Sequence, residues 1–172
     1  MVVLTAVFSL TLSACVAAKM PVPAVKEGRF NYTVVYEIDG EVITYSDAYV
    51  CKYDGSYKSL YGGGIDWTGY LESTGGAPEI AIQTNDDGVI YIGLGFYPHY
   101  FMGDIDYIDC SIPETTLYII YHSDDPDMMQ IDSQLDFMAE YGIRVISFTY
   151  DQPIENTFEE KFTVGRLDIS IN

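Results

Sequence analysis

Residues 30–38, "FNYTVVYEI", alternate in polarity: Phe30, Tyr32, Val34, Tyr36 and Ile38 fall on one face, Asn31, Thr33 and Glu37 on the other. A period of two is that of a strand with one face on a core. Asp39-Gly40 follows, a dipeptide suited to a tight turn, and "EVITYSDAYVCKY" (41–53) is predicted to return as a second strand. Further strands are predicted at 65–72, 79–84 and 89–97, the last two flanking the turn sequence "NDDG" at 85–88. The signal recurs at 116–122, 143–150 and 159–171. One segment changes period. Met128, Ile131, Leu135 and Met138 recur at helical spacing and predict a helix over about residues 126–141. Asp125 is placed to cap it, Pro126 to occupy its first turn, Asp127 to complement its positive end and Gly142 to close it. The pattern as a whole predicts a mainly β, antiparallel, sandwich-like domain with one packed helix near residues 126–141. A mixed α+β sheet is the alternative, because strand, helix and strand in succession can form a right-handed parallel crossover.

Ahead of these strands lies an uncharged run, "VVLTAVFSLTL" (2–12). It is shorter than the roughly 20 apolar residues a spanning helix needs and has the length of a secretion signal's apolar core. It ends in Leu12-Ser13-Ala14-Cys15, which resembles the lipobox of bacterial lipoproteins: an aliphatic residue, two small residues, then cysteine. The resemblance implies a lipid on the Cys15 thiol, cleavage just before it, and anchorage to the bacterial cell membrane on its extracytoplasmic face. "VAAKMPVPAVKEG" (16–28) follows, small, proline-containing and charged, and reads as a tether. The expected organisation is a signal peptide over 1–14, a flexible tether over 15–29 and a single β-rich domain over 30–172. "YVCKYDG", "FYPHYFMGD" and "QPIENTF" are similar to stretches of uncharacterised surface lipoproteins of Gram-positive bacteria, a resemblance that implies no activity.

Charge narrows the function classes. Against 26 acidic residues stand 8 basic ones, a formal net charge of −18. Such a surface repels phosphate backbones, which argues against a nucleic-acid partner, and is expected to stand off from anionic lipid. In an exported chain Cys51 and Cys110 are either a disulfide or two buried thiols. A bridge closing so long a loop contributes on the order of 4 kcal/mol in a chain-entropy account.

Candidate chemistry is sparse. Asp104, Asp106 and Asp109 in "GDIDYID", and Asp124, Asp125 and Asp127 in "HSDDPD", supply oxygen ligands of the kind calcium takes. Neither cluster fits an EF-hand loop, and solvated loop charge accounts for both. No other cofactor is called for: His99 and His122 are the only histidines, and no zinc motif is present. There is no nucleophile elbow and no phosphate-cradling glycine loop, so the chain is not read as an enzyme. A cell-envelope hydrolase working through Asp104, Asp106 or Asp109 is the alternative.

Aromatic content is more suggestive, with sixteen tyrosines concentrated in part around the glycines of residues 53–70 and in "GFYPHYFMGD" (95–104). Tyr57, Tyr61, Trp67, Tyr70, Tyr97, His99 and Tyr100 are the candidates for stacking on a sugar or anchoring a protein. Strand packing alone also favours tyrosine. The reading is a binding or interaction module at the cell surface, with a glycan or protein as partner.

Overall fold

The computed structural model describes residues 18–59, 62–84, 86, 88–104, 112–121, 129–131, 134–163 and 166–167. Residues 1–14, Cys15, Tyr61, Asp106, Asp109, Cys110, His122, Asp124, Asp125, Pro126 and Asp127 lie outside them.

The fold is mainly β, antiparallel and sandwich-like. Strand β1 (Ala18–Pro23) pairs with β10 (Phe158–Thr163) as a two-stranded ribbon. The larger sheet holds β2 (Glu27–Ile38), β3 (Glu41–Ser59), β4 (Gly62–Leu71), β9 (Ile143–Tyr150) and β11 (Arg166–Leu167), with β3 and β2 at its centre. The second sheet runs in the order β5 (Glu79–Thr84), β6 (Gly88–Gly93), β7 (Thr116–Tyr121), β8 (Met129–Ile131). Among the described residues there are two helices, α1 (Pro98–Phe101) and α2 (Gln134–Tyr141). One core joins the sheets: Tyr32 and Val34 of β2, Leu71 of β4, Ile90 and Ile92 of β6 and Ile119 of β7 all belong to it.

The alternation of residues 30–38 is realised as expected, with Phe30, Tyr32, Val34 and Tyr36 buried. The turn after it is set by Asp39 (φ 51°) and Gly40 (φ 85°). Ile38 faces Glu41, so this is a two-residue hairpin in which both central residues need positive φ. The same turn holds the end of α2: the Asp39 amide donates to the Gly142 carbonyl at 3.1 Å. Gly142 sits at φ 67°, and a Cβ there would lie 2.6 Å from Asp39 Oδ1. Glycine is therefore favoured at 142 by backbone conformation, while a Cβ there would need the Asp39 carboxylate to turn aside.

Four expectations are corrected. The helix spans 134–141 and not 126–141, because residues 129–131 pair with β7 as a strand. Its inward face is not that of the Met128–Met138 series either: Phe137 is 1 % exposed and Met138 39 %. Phe137 and Tyr141, one turn apart, pack against each other at the core with tilted rings whose centroids lie 5.5 Å apart. Third, β7 and β9 lie in different sheets, so the intervening helix crosses between layers and makes no parallel crossover. Fourth, residues 18–23, assigned to the tether, are a strand with Met20 and Val22 buried, and residues 27–29 already belong to β2.

That ribbon is held by side chains of the "QPIENTF" segment and of β3. Asn156 Oδ1 accepts from the Val25 amide at 3.0 Å while its Nδ2 donates to the Val25 carbonyl at 2.9 Å, standing in for a strand partner. Ser56 Oγ donates to the Pro21 carbonyl at 2.6 Å, fastening β1 along β3.

Candidate functional site

The two aromatic segments meet. Pro98 opens α1 at the position where no amide hydrogen is needed, and the turn ends as the Met102 amide donates to the Pro98 carbonyl at 2.9 Å. This single turn rests on β4, where Gly69 makes the approach feasible. A Cβ at 69 would fall 2.7 Å from Pro98 Cγ and 1.9 Å from the Tyr49 hydroxyl. From the turn, His99 Nε2 lies 3.2 Å from the Ile65 carbonyl, and Asp104 Oδ2 accepts from the Trp67 indole N–H at 3.0 Å. His99 and Asp104 thus fasten the 95–104 turn to β4.

Most of the candidate aromatics are engaged inside the protein. Trp67 is 8 % exposed and meets the Tyr53 ring edge to face at 5.9 Å. The Tyr57 ring lies across Gly64, whose absent Cβ leaves room for it. Tyr70 has Lys52 Nζ over its ring at 5.6 Å. Tyr100 is half-buried, edge to face with both Phe101 and Tyr150. Trp67 is accordingly a core residue and not a stacking platform, because its burial leaves no ring face open to a ligand.

Tyr97 is the exception, 47 % exposed. It lines a recess of about 400 Å3 with Gly95, Ile112, Glu114 and Thr116. Ile112 is 67 % exposed, so the recess presents an aromatic ring and an aliphatic chain to solvent beside a carboxylate and a hydroxyl. A second cleft, of about 300 Å3, lies between Tyr100, Gly103 and residues 153–156. Ile112, Glu114 and Thr116 escaped the sequence reading, because Ile112 and Glu114 lie between strands and Thr116 opens β7, where no periodicity marks which side chains share a wall.

Of the metal candidates only Asp104 is described, and its carboxylate is committed to Trp67. Among the described residues no three His, Cys, Asp or Glu side chains gather as a metal site would require. Cys110, the other half of the candidate pair, lies outside the described residues. Cys51 is a free, buried thiol, and burial pushes its pKa up to about 12. Such a thiol is not a nucleophile at neutral pH. Among the described residues no helix is long and apolar enough to cross a membrane. Comparison with protein-family models, with curated proteins and with solved structures returns no match.

Proposed function

We propose that this protein is a lipid-anchored, extracytoplasmic bacterial binding module, and that its ligand is a saccharide held in the Tyr97 recess. The lipobox at Leu12–Cys15 supports the anchorage. One observation carries the binding reading: in a chain whose other described candidate aromatics are buried or engaged, Tyr97 stands exposed in a recess that also offers Glu114 and Thr116. An aromatic face takes up the C–H face of a sugar ring, while a carboxylate and a hydroxyl bind its hydroxyl groups. The volume falls within the roughly 300–1,000 Å3 of small-ligand sites. Glu114 and the chain's net charge favour a neutral or cationic sugar over an acidic one.

A thermal-shift panel of cell-wall and host glycans tests this, since a ligand specific to the folded state raises the midpoint by mass action. The expected result is a rise with a neutral or amino sugar that disappears in Tyr97→Ala. A panel without any rise, or a rise that survives Tyr97→Ala, removes the saccharide reading and leaves a protein partner. Anchorage is tested separately: Cys15→Ser should move the protein from the membrane to the soluble fraction.

A further inference from the structure

The outer face of the second sheet leads into the Tyr97 recess. Residues that stand opposite each other in a ladder share a sheet face. Across β6, Gly93 stands opposite Glu79 of β5 and Thr116 of β7, and Tyr91 stands opposite Ala81 and Tyr118. Thr116 belongs to both places, because it also lines the recess with Gly95, Tyr97 and Glu114. The chain leaving β6 keeps its alternation: Leu94 and Phe96 are buried in the core, while Gly95 and Tyr97 are exposed. Tyr91, Gly93, Gly95 and Tyr97 therefore follow one another away from the core, and no side chain rises from this row between its two tyrosines. At Gly93 the Tyr118 ring lies over the strand, where a Cβ would fall 3.1 Å from Tyr118 Cε1. The Tyr118 hydroxyl donates to the Glu79 carboxylate, and its ring stacks on Tyr91 with centroids 5.4 Å and planes 12° apart. Half-buried Tyr91 is thus a ring held in place at the far end of a trough that opens at Tyr97.

We infer that the ligand of the Tyr97 recess is a neutral or cationic saccharide chain laid along β6 from Tyr97 to Tyr91, and not a single sugar. This rests on the saccharide reading of the recess and extends it. Tyr97 follows Tyr91 by six positions, at most roughly 20 Å of extended chain and several sugar rings in length. The two tyrosines give two stacking positions, and the glycines between them let a chain lie close to the backbone. Thr116 offers a hydroxyl between the two positions. Glu79 and Glu114 flank the row, so an acidic chain is repelled. Tyr91 is fixed before any ligand arrives, by stacking on a Tyr118 that is itself tied to Glu79, so little side-chain freedom remains to be lost on binding. A peptide added as a strand needs an open sheet edge, and β6 is paired on both sides.

The test titrates the mono-, tri- and hexasaccharides of glucose, of N-acetylglucosamine and of glucosamine into the full chain by calorimetry. In the series that binds, affinity is expected to rise about tenfold from the monosaccharide to the hexasaccharide, the gain from one further stacked ring. Tyr91→Leu should remove that gain, so that the long and short sugars bind alike, and Tyr91→Phe, which keeps the ring, should retain it. Tyr97→Ala should abolish binding at every length. Should Tyr91→Leu lose its fold, the ring resonances of Tyr91 in the wild-type protein read the same contact: they should move with the hexasaccharide and stay with the monosaccharide. Equal affinity at all lengths with Tyr97 still required, or a gain with length that survives Tyr91→Leu, overturns the chain and leaves the recess reading standing. No binding in any series, or binding that survives Tyr97→Ala, overturns both.

Discussion

Two neighbouring residues of the 95–104 turn have opposite surroundings. Phe96 is buried among the rings of Tyr32, Tyr49, Phe101, Phe148 and Tyr150, with centroids 4.9–6.2 Å away. Tyr97, next along the chain, opens onto the recess with Ile112 and Glu114. The β3–β4 hairpin offers no such division: Trp67 is buried, Tyr57 lies over Gly64, and Tyr70 is covered by Lys52. Phe96 and Tyr97 precede α1, and Tyr97 has extended backbone (φ −117°, ψ 122°), so successive side chains point to opposite sides and only one meets the core, whereas a paired strand commits each side chain to a sheet face or a cross-strand neighbour.

The comparison breaks most visibly at Phe96. Phe96→Ala removes the hub of the aromatic cluster and should cost about 3–5 kcal/mol, as for other buried phenylalanines, read as a large fall in the urea midpoint. Tyr97→Ala beside it should change stability by under about 0.5 kcal/mol while abolishing saccharide-induced stabilisation. A Tyr97 variant as unstable as the Phe96 variant would mean that the turn has no outward face.

Cys51 sharpens the comparison from the side of the hairpin. Its folded pKa, about 12, lies above the ordinary thiol value of 9.0, so folding favours the protonated form. Its contribution to stability is complete below about pH 9 and is lost as pH rises through about 12. Cys51→Ala should flatten the loss of stability across that window, and the native Cys51 thiol should resist alkylation at pH 8 until the protein unfolds. Rapid native labelling of Cys51 would show that the core beneath β3 is open.

Smaller effects are expected at the fastenings. Gly142→Val should lower stability by about 1 kcal/mol or more, because it forces a β-branched residue into the left-handed region and against Asp39. An unchanged melting temperature would remove the Asp39–Gly142 contact from the account. Trp67→Phe keeps an aromatic ring but removes the indole N–H that donates to Asp104. A loss of about 1–2 kcal/mol is expected for a hydrogen bond to a charged group.

Strand periodicity was legible because it is local: the buried face of residues 30–38 and the Asp39-Gly40 turn follow from alternation and from which residues tolerate positive φ. The end of α2 at Gly142 was legible for the same reason. Its beginning was not, because residues 129–131 found a partner in β7, and a cross-strand partner outweighs a helical spacing of four apolar residues. The tether was misread likewise. Small residues and prolines describe a flexible segment in isolation, but β10 and Asn156 lie more than a hundred residues away and supply the pairing that makes residues 18–23 a strand.

What the sequence determined by itself is therefore the class of fold, the turns, the acidity of the chain and the lipobox-like Leu12–Cys15. Each is written in adjacent residues or in a sum over all of them. Only the tertiary structure decided which aromatics face water and which distant side chains share a wall, as Tyr97 does with Ile112, Glu114 and Thr116. Exposure is a property of a surface, and a surface exists only once distant segments have been brought together.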